Sequence, residues 1–184
     1  MSRLLWPTGA RPRVLSIMSD TVLEKLVLGE ISGKNNAIHI YDEVAWKIRT
    51  GFLTLIFGGW GIFLRSIADA KLPPQELRAV VISLALFSVG FAYAAWYIDL
   101  SYLRRKFRVI LALNQIAAAL ATSRGDVAAV PTDLLKVSGD DALSPYDCAG
   151  FQAARKTELS VYLVPLLIIA IASLFMITSH IGRQ

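Results

Sequence analysis

Residues 79–98 read AVVISLALFSVGFAYAAWYI, twenty positions without a charge, and Arg104, Arg105, Lys106 and Arg108 follow closely. At about 1.5 Å of rise per residue, a helix of this length covers the roughly 30 Å hydrocarbon core of a bilayer. The basic cluster behind it marks the end that stays in the cytoplasm. The chain is therefore read first as an all-α integral membrane protein.

Composition agrees with that reading. The 184 residues are 55% hydrophobic and 18% charged, whereas a soluble domain sits near ~45–50% and about 25%. The apolar excess comes in blocks, not at the spacing of a soluble core. Basic residues outnumber acidic ones, 19 to 14. Clustered at span ends, that excess points to anionic lipid, not nucleic acid. The single cysteine, Cys148, rules out an intrachain disulfide and any zinc or iron–sulfur site built from several cysteines.

Two further blocks have span character. Residues 50–67 extend an apolar run in which Arg65 snorkels, and 159–179 contain VYLVPLLIIAIASLFMIT. Residues 1–18 read as a flexible tail, with Met18 as an alternative start. Residues 19–49 read as amphipathic helices leading into the first span. Val22, Leu23, Leu26, Val27 and Ile31 recur at helical spacing and suit packing against neighbouring helices. Ser32, Gly33, Lys34, Asn35 and Asn36 form a turn signal, after which a longer helix should start. Residues 68–78 are a short extracytoplasmic loop in which Pro73 and Pro74 end one helix and open the next. Trp46 and Trp60 are candidate interface anchors, the alternative for Trp60 being a position too deep for that role.

After residue 98 no turn signal appears until Gly125, so the second span should continue as a rod of more than 40 residues. Residues 99–158 then comprise this cytoplasmic extension and a loop. Within the loop, residues 132–137 suit one or two helical turns, and Ser144 with Pro145 predicts the start of the third helix. Residues 180–184 are a stub. Along the rod, Leu100, Leu103, Phe107, Ile110 and Asn114 fall at alternating spacings of three and four. This is a candidate oligomer seam with Asn114 at an a position. A bundle core is the equal alternative.

Fifteen of the basic residues lie before residue 50 or between spans two and three. That bias predicts N-terminus in and C-terminus out, in a cytoplasmic (inner) membrane. The cytoplasmic region is then a helical head formed by the N-terminal segment and the extension of helix two.

Motifs for chemistry are lacking. His39 and His180 fall on opposite membrane faces and cannot share a metal or haem. Asp140, Asp141 and Asp147 lack the spacing of a calcium loop. No phosphate loop, dinucleotide fingerprint or nucleophile elbow occurs in the chain. The spans carry no central charge of the kind that marks proton relays. No cofactor, metal, catalytic residue or nucleic-acid partner is therefore expected, and the chain is not expected to be an enzyme. What the spans do carry is small residues. Gly58, Gly59, Gly61, Gly90 and Ala94 are candidates for close helix packing. Arg104, Arg105, Lys106 and Arg108 are candidates for lipid headgroup contact. Hydroxyls such as Ser88 are expected to bond back to their own helices.

The functional expectation is a small oligomeric membrane protein, a channel or pore-forming membrane effector, with lipid and further copies of itself as partners. The alternative is a non-enzymatic anchor or accessory subunit that recruits a cytoplasmic protein. In layout the chain resembles small bacterial membrane effectors of anti-phage systems, which pair two to four spans with a helical cytoplasmic region. The likeness is one of architecture, with no shared motif, and no residue or activity is carried over.

Overall fold

The structure, a computed structural model, describes residues 20–69, 73–135 and 143–181. Three long helices account for most of them: α1 (Asp20–Asp69), α2 (Pro74–Thr122) and α3 (Ala149–Ile181). Among the described residues there are no strands. At the usual rise α1 and α2 are each about 75 Å long and α3 about 50 Å. Each helix is long and apolar enough to cross a membrane. The tail before Asp20, residues 70–72, residues 136–142 and the stub after Ile181 lie outside the described residues.

The rod expected beyond residue 98 is present, with α2 unbroken to Thr122. Its end is built from backbone. Ser123 is the cap, Arg124 adopts a left-handed φ of 56°, and Gly125 follows at 93°. The Gly125 N–H reaches back to the Leu120 carbonyl at 2.8 Å, satisfying an otherwise orphaned acceptor. Glycine normally takes the first left-handed position, so the side chain of Arg124 is an exception there.

The turn expected at residues 32–36 does not form. Helix α1 runs straight through it. Glycine and asparagine are poor but tolerated helix residues, and tertiary packing overrides them here. Lys34 is buried within this stretch and pairs with Glu30 one turn earlier at 3.1 Å. Just before it, Val27 is locked into a cluster with Ala112, Ile116, Val130 and Leu134. Ala112 and Ile116 come from α2, Val130 caps a short 3-10 segment, Val127–Ala129, and Leu134 lies in a second one, Thr132–Leu135. The second segment matches the helical turns expected from residue 132. The start of α3 also differs. Ser144 is not its cap, because residues 146–147 form a separate turn, closed by the Cys148 N–H on the Pro145 carbonyl, before α3 begins at Ala149.

Helices α1 and α2 are antiparallel neighbours in one register. Asp42 meets Lys106, Arg49 meets Asp99, and Trp60 meets Ser88. Helix α3 returns antiparallel to α2, with Tyr162 against Asp99 and Phe151 against Phe107. Two regions result. The apolar half packs Phe52, Ile56, Trp60, Val81, Ala92 and Tyr162 into one cluster. The polar half holds the Val27 cluster and a smaller one of Leu100, Leu103 and Phe151.

Trp60 is inside the apolar cluster, 5% exposed, and is not an interface anchor. Its indole N–H donates to the Ser88 hydroxyl at 3.0 Å, and that hydroxyl donates onward to the Leu84 carbonyl at 2.8 Å. Two polar side chains are thus satisfied inside an apolar bundle. Trp46, by contrast, is 69% exposed, as an anchor requires.

Candidate functional site

The polar centre of the molecule lies where its two halves meet. Arg49 on α1, Asp99 on α2 and Glu158 on α3 each stand one residue outside the spans expected at 50–67, 79–98 and 159–179. The fold brings all of them together. Arg49 Nε donates to Asp99 Oδ2 at 2.8 Å and Arg49 Nη2 donates to Oδ1 at 3.2 Å, a two-pronged fork. The same Nη2 donates to Glu158 Oε1. Tyr162, one turn further along α3, donates its hydroxyl to Asp99 Oδ2 at 2.9 Å.

Asp99 is fully buried. A carboxylate there is tolerable only because the guanidinium and the phenol replace its water. Glu158 keeps some solvent contact, with its side chain 12% exposed. Burial pushes its carboxyl up to about 7, the neighbouring Asp99 charge adds to the rise, and Arg49 opposes it. Burial alone would lower the Arg49 pKa. The hydrogen bond and charge of Asp99, followed by those of Glu158, override that effect and hold the guanidinium above its ordinary value. Arg49 thus remains a cation, while Glu158 sits near its ionisation midpoint at neutral pH.

This layer ties the three long helices together at one level. Within it, Asp99 is enclosed and already accepts three hydrogen bonds. No protein family, curated protein or solved structure matches the chain. Its chemistry is therefore read from these side chains alone. Among the described residues, no group of three or more His, Cys, Asp or Glu side chains is placed to hold a metal ion.

The residues singled out in the sequence occupy other places. Leu100 and Leu103 are buried within the chain beside Phe151, and Phe107 packs edge-on to the same ring at 5.5 Å. Ile110 is half-buried and Asn114 is exposed. The upper part of the expected seam is therefore occupied by the chain's own α3. Within the basic cluster, Lys106 pairs with Asp42 at 2.6 Å, Arg104 lies over the Tyr146 ring and Arg105 over the Tyr102 ring. Arg108 is half-buried. Gly58, Gly59, Gly61, Gly90 and Ala94 are all exposed. A Cβ at any of these glycines would meet nothing within 4 Å. Their small faces do not serve packing inside one chain.

Sequence reasoning missed the Arg49–Asp99–Glu158 layer. A signal for it exists: each span is bounded, at the same expected membrane level, by one charged residue, and the three charges do not share a sign.

Proposed function

We propose that the protein is a small oligomeric integral membrane protein whose copies associate through their outward small-residue faces, and that it acts as a channel or pore-forming effector with its path between copies. The observation that carries this reading is where the glycines point. In one chain the apolar interior is filled by Phe52, Trp60 and Tyr162, which leaves no room for a path along its axis. The outer surface, meanwhile, offers Gly51, Gly58 and Gly61 along α1 and Gly90 and Ala94 along α2, all exposed. Close backbone approach is the main source of helix affinity in lipid, and such faces provide it. On this reading the N-terminus lies in the cytoplasm of a bacterial inner membrane, as the distribution of basic residues favours. The chain is not an enzyme.

Mass photometry or native mass spectrometry of the full chain in nanodiscs tests the assembly, and ion flux into liposomes tests the pore. Several copies with flux are expected. Gly58→Ile together with Gly90→Ile should separate the copies and abolish flux. A monomeric wild type without flux would overturn the proposal.

A second reading has its own support. On the early part of α1, Val22, Leu26 and Ile40 are each about half exposed along one face, outside the expected spans. Exposed apolar side chains in a soluble region suit a protein partner. A monomer that captures a cytoplasmic protein through this face would favour the anchor.

A further inference from the structure

The first turns of α3 border a groove of about 450 Å³, lined by Tyr146, Phe151, Gln152, Arg155, Lys156 and Leu159. Its walls are held in place. The Gln152 side-chain amide donates to the Tyr146 carbonyl at 3.0 Å. The Tyr146 and Phe151 rings meet edge-on at 5.5 Å, and the Arg104 guanidinium covers Tyr146 from 5.5 Å. Arg155 and Lys156, in contrast, are exposed and pair with no other described residue. Two exposed cations thus border a concavity with a fixed aromatic wall.

The position of the groove decides what would fill it. Arg155 and Lys156 lie within one turn of Glu158, the residue that bounds the third expected span, so they stand at headgroup depth. The stripe of α3 that carries Gln152, Arg155, Lys156 and Leu159 continues at helical spacing to Leu163 and Leu167, which are 52% and 62% exposed. Cationic and aliphatic groups therefore succeed one another along a single line. Glu158 does not neutralise the pair, because Arg49 engages it. A free anion would use only the upper end of this line, whereas a lipid would use all of it.

We propose that this groove is a headgroup site for an anionic phospholipid, with its phosphate held by Arg155 and Lys156 and an acyl chain lying along Leu159, Leu163 and Leu167. The inference rests on the three helices crossing a bilayer, and it does not depend on self-association. Resistance of the full chain to carbonate extraction checks the membrane reading separately.

The test is native mass spectrometry of the detergent-purified full chain titrated with phosphatidylglycerol or phosphatidylcholine. The wild type should retain phosphatidylglycerol preferentially. Arg155→Gln with Lys156→Gln should weaken that retention about twenty-five-fold, at about fivefold for each basic side chain near an anionic lipid, and leave phosphatidylcholine unchanged. Both side chains are exposed, so the variant should fold, and its melting temperature in detergent checks this. A charge-matched control at two other exposed basic residues, Lys25→Gln with Arg124→Gln, should behave as wild type. Equal retention by the Arg155/Lys156 variant would overturn the site. So would an equal loss in the control, which would mean diffuse surface charge. Displacement of phosphatidylglycerol by millimolar inorganic phosphate would make the groove a simple anion site and overturn the lipid assignment.

Discussion

Two carboxylates in this molecule each face a cation, and they respond in opposite directions. Glu43 lies fully in solvent one turn before Lys47, whose Nζ approaches to 2.6 Å. That hydrogen bond and the Lys47 charge hold Glu43 below the usual carboxylate range. Glu158 receives a hydrogen bond from Arg49, yet burial and the adjacent Asp99 raise it to about 7. Contact with a cation is common to both, so the cation does not set the direction. What differs is the water removed and the second negative charge enclosed with Glu158. An ion pair on the α1 surface is a local adjustment, whereas the Arg49 layer is a structural joint.

The sharpest way to break this contrast is Asp99→Ala. It leaves Arg49 without its main partner and frees the Tyr162 hydroxyl inside the bundle. A loss of about 3–5 kcal/mol is expected, read by unfolding of the detergent-solubilised protein in a denaturant titration. A loss below about 1 kcal/mol would reduce the joint to the rank of a surface pair.

Tyr162→Phe probes the same carboxylate more gently. It removes one hydrogen bond to a buried charge and should cost about 1.5–3 kcal/mol in the same assay.

The pH dependence should separate the two carboxylates by sign. Because its folded-state pKa is raised from 4.5 to about 7, Glu158 binds its proton more tightly in the folded chain than in the unfolded one. Its contribution is fully present below about pH 4.5 and is lost as pH rises through about 7. The expected effect is on the order of 3 kcal/mol across that window, measured as unfolding midpoints between pH 4.5 and 8. Glu158→Gln should flatten the profile. A profile that keeps its slope in this variant would place the titrating group elsewhere. Glu43 has the opposite sign: its contribution is present above the unfolded carboxylate pKa and fades as pH falls through its lowered value.

The smallest effect belongs to Lys47→Ala, which should leave the unfolding midpoint unchanged within error. Both partners are in solvent, where pairing is offset by side-chain entropy and screened by salt. A clear destabilisation would show that the exposed pair is also part of the joint.

The legible and illegible parts of the fold divide along similar lines. The length of α2 was readable because residues 99–122 contain no proline or glycine, and helix propensity is a local property. The three apolar blocks were readable because hydropathy along a run is likewise a local property. The turn expected at residues 32–36 failed because Gly33 and Asn35 report local preference only. The packing that overrides it comes from Ala112 and Ile116, some eighty residues away in the chain. Trp60 illustrates a different limit. An indole in an apolar run suits an interface anchor until Ser88, on another helix, supplies the hydrogen bond that lets it go inside. The charged layer was the least legible element. Asp99 reads in sequence as the punctuation that ends a span, and nothing periodic connects it to Arg49 or to Glu158.

The shared register of α1 and α2 has a consequence for how this chain can change length. Lys106 with Asp42, Asp99 with Arg49, and Ser88 with Trp60 are separated by equal steps along the two helices. One residue added to either helix between any two of these pairs would swing everything beyond it by about 100°. No single compensating substitution could restore the matches. Insertions and deletions should therefore collect in the segment joining α2 to α3, while α1 and α2 change their lengths together or not at all.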